Sequence, residues 1–65
     1  MDIYHVFWSN VFWHIDNKGL KALEVIGSNY NKARKHDYNP SIKKVQEIAE
    51  KLDIDDYAIL FERVE

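Results

Sequence analysis

Sixty-five residues with a formal net charge of −2 and no cysteine make at most one domain, which neither disulfides nor thiolate-bound metal can staple. A hydrophobic fraction of 46% and an aromatic fraction of 14% supply enough apolar surface for a core, which argues against disorder. No apolar run is long enough to span a bilayer, Met-Asp-Ile-Tyr-His lacks the basic start of a secretion signal, and Pro40 blocks glycosylation at Asn39, so a soluble, cytoplasmic protein is expected.

The first segment, Asp2 to about Asn17, reads as a helix capped by Asp2 and stopped by Asn17-Lys18-Gly19. At about 100° per residue, Ile3, Tyr4, Phe7, Trp8, Val11, Phe12 and Ile15 form one apolar arc. Val6 and Trp13 break the pattern by projecting onto the polar side, where either a second subunit or the C-terminal segment of the same chain would cover them. His5 and His14 project to opposite faces, so they cannot share a metal on this helix, and His14 reads as a boundary residue.

Leu20 to Ile26 reads as a second short helix, with Leu20, Leu23 and Ile26 inward and Gly27 ending it in a turn that favours glycine. Ser28 or Asn29 then caps a third helix running to about His36, in which only Tyr30 and Ala33 are apolar. Such a helix has a narrow buried stripe and leaves its other side chains free to meet a ligand. Pro40 interrupts the chain, and a fourth helix follows from Pro40 or Ser41 to Leu52, with Ile42, Val45, Ile48, Ala49 and Leu52 inward. Asp53-Ile54-Asp55 is a break, after which Asp55 or Asp56 caps a last helix through about Phe61, with Tyr57, Leu60 and Phe61 inward. Neither a strand, a linker nor a repeat is expected. The predicted fold is all-α, a compact single-domain bundle of about five short helices.

Charge is unevenly distributed. Between Ser28 and Gln46 stand Lys32, Arg34, Lys35, Lys43 and Lys44 against Asp37 alone, so the remainder of the chain is strongly acidic. A positive island in a negative chain is the footprint expected of a surface that grips a polyanion. The bland alternative is that these charges only keep a helix solvated.

Two short helices joined by a glycine turn, the second polar and basic, make a helix-turn-helix on physical grounds. Gly27, the phrase Asn39-Pro40-Ser41-Ile42 and the run Val45-Gln46-Glu47-Ile48-Ala49-Glu50-Lys51-Leu52-Asp53-Ile54 resemble the Cro/C1-type (XRE) helix-turn-helix regulators, whose fold is lambda-repressor-like. The likeness covers roughly Leu20 to Phe61. It departs from the family at Ser28, where an apolar residue is usual, at Gly19-Leu20-Lys21 in place of Ser/Thr-Gln, and in a shortened stretch from Gly27 to Pro40.

What the resemblance implies is a repressor of phage, plasmid or bacterial type that places its third helix in the major groove of double-stranded DNA. Asn29, Tyr30, Asn31, Lys32 and Lys35 are the candidates for base edges, Ser28 flanks them, and Arg34, Lys43 and Lys44 are candidates for phosphate. Regulators of this size commonly work as homodimers. Val6, Trp13, Ala58, Ile59 and Val64, which lack an obvious place in a monomeric core, are the expected interface. The alternative is a protein-interaction module that keeps the fold and docks on another regulator protein. No phosphate loop, nucleophile elbow, zinc spacing or paired catalytic carboxylates appear, so no enzyme, cofactor or metal is expected.

Overall fold

The Asp2 carboxylate accepts the Tyr4 backbone N–H at 2.9 Å, and from this cap α1 runs over Ile3–Lys18. The structure, a computed structural model, describes residues 2–62. It adds α2 at Ala22–Ile26, α3 at Tyr30–Arg34, α4 at Ile42–Lys51 and a 3-10 helix at Tyr57–Phe61. All regular structure among the described residues is helical. The Ser41 hydroxyl accepts the Lys44 N–H, and the Asp56 carboxylate accepts the Ala58 N–H. Ser41 is one of the two expected starts of α4, and Asp56 is one of the two caps expected for the last helix.

α1, α3 and α4 end by one mechanism. Gly19, His36 and Asp53 take left-handed conformations, with φ of 67°, 60° and 59°. The next N–H then folds back onto the last turn: Leu20 to the Ile15 carbonyl at 3.0 Å, Asp37 to Lys32 at 2.8 Å, and Ile54 to Ala49 at 2.9 Å. These bonds satisfy carbonyls that a helix end would otherwise leave unpaired. They also correct two expected boundaries. Leu20 is consumed in ending α1, so α2 begins at Ala22. The left-handed turn at His36 ends α3 early, and Ser28 and Asn29 lie in the turn before it.

The core gathers on α1, with Phe7, Trp8, Val11 and Ile15 buried against Val25 and Ile26 of α2, Ala33 of α3, Ile48 and Ala49 of α4, and Leu52, Ile54 and Leu60. Burial extends further round α1 than the apolar arc. Val6, only 7% exposed, is inside the monomer instead of on the polar side. It shares its face with buried Asn10, whose amide donates to the Leu60 carbonyl at 2.9 Å and the Glu62 carbonyl at 2.6 Å. The C-terminal segment of the same chain therefore covers this side.

Other expected core residues are outside. Leu23 is 56% and Ile42 91% exposed, and Ile3, Leu20, Tyr57 and Phe61 also reach solvent. In α2 the inward positions are Ala22, Val25 and Ile26, which turns Leu23 outward. Ile42 is the first residue of α4, one turn before the packed part of that helix, and no described element lies over it.

Gly27 has φ 98° and ψ −161°, a region open essentially to glycine alone. Gly27→Ala should therefore cost about 1–3 kcal/mol of stability in urea unfolding, although an added methyl meets only the Lys44 ammonium at 3.6 Å. Asp53→Gly should stabilise by up to about 1 kcal/mol, since it relieves a left-handed non-glycine residue. Equal unfolding midpoints for the three proteins would contradict this account of the turns.

Candidate nucleic-acid interface

α3 is five residues long, and its rotation decides what its side chains can reach. Ala33 is fully buried and Tyr30 packs partly on the core, so the helix shows Asn31, Lys32 and Lys35 to solvent on the opposite side. Asn29 and Ser28, exposed in the preceding turn, border that surface. Neither Asn29 nor Ser28 acts through a helix cap; the Asn29 side chain makes no cap bond. Tyr30 is a packing residue.

Arg34 points elsewhere. Its guanidinium carbon lies 4.5 Å from the centre of the Phe12 ring, a cation–π contact that ties α3 to α1. Lys44 and Lys43, adjacent in sequence, also separate. The Lys44 ammonium lies beside Gly27, at the turn between α2 and α3, and is 3.9 Å from the Glu47 carboxylate. The pair is only partly exposed, with the Lys44 side chain 23% and the Glu47 side chain 46% accessible, and at 3.9 Å it holds the charge loosely. Lys43, about 100° further round α4, is exposed. Ser28, Asn29, Asn31, Lys32 and Lys35 are exposed on the Gly27 turn and α3, with the Lys44 ammonium beside Gly27, while Arg34 is turned to Phe12 and Lys43 projects from a different side of α4 than Lys44.

Of the residues expected at a dimer interface, Trp13 is 52% exposed with His14 edge-on to its ring, and Ala58 is exposed. Ile59 is half-buried against the core. Val6 is buried, as described above, and Val64 lies outside the described residues.

Sequence reasoning missed a contact at the far end of α3. The Nδ1 atoms of His36 and His5 are 2.6 Å apart, and the rings meet edge-on with centres 4.3 Å apart. One nitrogen must donate and the other accept, so the contact needs at least one neutral ring. Residues 31 apart in sequence carry no local pattern that announces it; only the left-handed turn at His36 brings the rings together.

No protein-family model matches the chain, and neither the curated proteins nor the solved structures provide a match. Among the described residues no helix is long and apolar enough to cross a membrane, and no group of three or more potential metal ligands is assembled.

Burial first, and then neighbouring His5, hold the His36 ring below the ordinary imidazole value of 6.5, with Asp2 acting in the opposite direction. Burial, followed by Lys18, lowers His14 in the same way. The folded protein accordingly binds fewer protons than the unfolded chain near this pH, so these groups stabilise fully above 6.5 and lose their contribution as pH falls through the folded values. The unfolding midpoint should drop between about pH 7.5 and about pH 5.5, and by less in His36→Asn, which tolerates the left-handed backbone but does not titrate. An identical drop in both proteins would show that the histidine contact does not contribute.

Proposed function

We propose that this chain is a sequence-specific regulator that binds double-stranded DNA, with α2, the Gly27 turn and α3 acting as a helix-turn-helix and α3 entering the major groove. The observation that carries the reading is the coincidence of charge and shape. Lys32 and Lys35 are exposed on and just after α3 beside exposed Asn29 and Asn31, and the Lys44 ammonium lies beside Gly27 at the turn before it, in a chain of net charge −2. Lysines there suit phosphates, and asparagine can pair with an adenine edge through two hydrogen bonds. The resemblance of Asn39 to Ile54 to the Cro/C1-type regulators supports the same reading. As a dimer it would occupy two half-sites about one helical turn apart and act as a repressor by blocking the DNA it covers.

A second reading, a module that docks on another regulator protein, is favoured by Trp13 and Leu23, large apolar side chains more than half exposed on α1 and α2. Fluorescence anisotropy with duplexes selected from random DNA separates the two. DNA binding predicts affinity that falls with salt, and Lys32→Ala and Lys35→Ala should each lower the log–log salt slope by about 1. Asn31→Ala should cost about 1–3 kcal/mol and relax preference at one base pair. Absence of salt-sensitive binding to any duplex overturns the proposal in favour of the second reading.

A further inference from the structure

Neither His5, on α1, nor His36, at the turn after α3, belongs to the hydrophobic core. The His36 backbone has φ 60°, a conformation that glycine or asparagine adopts at less cost, so ending α3 does not require histidine there. Yet the two Nδ1 atoms approach to 2.6 Å across 31 residues of sequence. A head-on N–H···N pair would hold the ring centres about 5 Å apart, whereas they stand 4.3 Å apart with the ring planes at 80°. At least one ring is therefore tilted off the line between the nitrogens, as rings are when both face a third atom.

We propose that His5 and His36 form a binding site for a divalent transition-metal ion, held through both Nδ1 atoms at a right angle. Metal–nitrogen bonds of about 2.0 Å put the nitrogens about 2.8 Å apart at a right angle and about 3.3 Å apart in a tetrahedron. From 2.6 Å the first asks the rings to part by about 0.2 Å and the second by about 0.7 Å. Cu2+ and Ni2+, which take right-angled shells, fit better than Zn2+, and Cu2+ binds imidazole most tightly of the three.

In the neutral pair one Nδ1 carries a proton and the other receives it. On binding, that proton moves to Nε2 of its own ring, so both Nδ1 lone pairs face the ion and no net proton is released. Asp2, three residues before His5, caps α1 through one carboxylate oxygen, and its negative charge reaches His36. Two protein ligands leave the rest of the shell to water. The ion links the start of α1 to the end of α3 and so favours the folded chain. Nothing in the site depends on Lys32 or Lys35, and it is measured without DNA.

Thermal unfolding of the full chain with CuCl2, NiCl2 or ZnCl2 tests it, together with electron paramagnetic resonance of the Cu2+ complex. Saturating Cu2+ should raise the midpoint by at least about 4 °C, reversibly with EDTA, and the spectrum should show two equatorial nitrogens. His5→Gln and His36→Asn should each abolish the rise and remove a nitrogen, with circular dichroism unchanged, whereas His14→Gln should alter neither readout. No rise with any of the three ions overturns the proposal. So does a rise that survives both His5→Gln and His36→Asn, which marks an adventitious ion only. A larger rise with Zn2+ than with Cu2+ overturns the right-angled geometry.

Discussion

Trp8 is the contact on which the remaining structure depends. Its side chain is fully buried near the middle of α1, its indole N–H donates to the Tyr38 carbonyl at 2.7 Å, and its ring stacks on Tyr38 with centres 5.7 Å apart. Tyr38 belongs to the connection between α3 and α4, so one side chain ties that connection to the core. The tie matters because α2 and α3 have five residues each and α4 ten, lengths at which an isolated helix is marginal in water. Packing on α1 supplies what local propensity cannot. Asn10 performs the corresponding service for the 3-10 helix, and the Lys18 ammonium reaches the Leu52 carbonyl at the end of α4.

This arrangement explains how an acidic chain displays a basic surface. α3 is anchored by Ala33 and Tyr30, by the stacking of Arg34 on Phe12 and by the His36–His5 contact, and all four face inward or towards α1. The positions left over are Asn31, Lys32 and Lys35, and they face water because the anchors do not. The rotation of α3 therefore follows from packing, and the cationic face from rotation. The Lys44 ammonium lies beside Gly27, at the turn that leads into α3.

Elements with strong local signals were legible from sequence. The Asp2 cap, the start of α4 near Ser41, the last helix opening at Asp55 or Asp56, the Gly19 and Gly27 stops and the inward run of Val45, Ile48, Ala49 and Leu52 all follow from rules that act within one or two turns. What was missed depends on distant partners or on end effects. For Val6 the sequence left two covers open, a second subunit or the C-terminal segment of the same chain, and burial against that segment decides for the second. Leu20 reads as helical by spacing but is taken up by the turn that ends α1, and Ile42 fits the apolar repeat of α4 but lies at its unsupported end. Around the candidate interface, the cluster of positive charge was evident. The diversion of Arg34 to an aromatic ring and the divergence of Lys43 from Lys44 required three dimensions.

The central claim is that the exposed side of the Gly27 turn and α3, with Ser28, Asn29, Asn31, Lys32 and Lys35 and with Lys44 beside Gly27, is the surface that meets DNA. Amide chemical-shift mapping by NMR during titration with a selected duplex tests it residue by residue. The account predicts that the largest changes fall between Ser28 and Lys35 and at Lys44, while Ile42, Gln46 and Tyr57 move little. Changes concentrated at α4 and the 3-10 helix, or spread evenly over every exposed lysine, would contradict it.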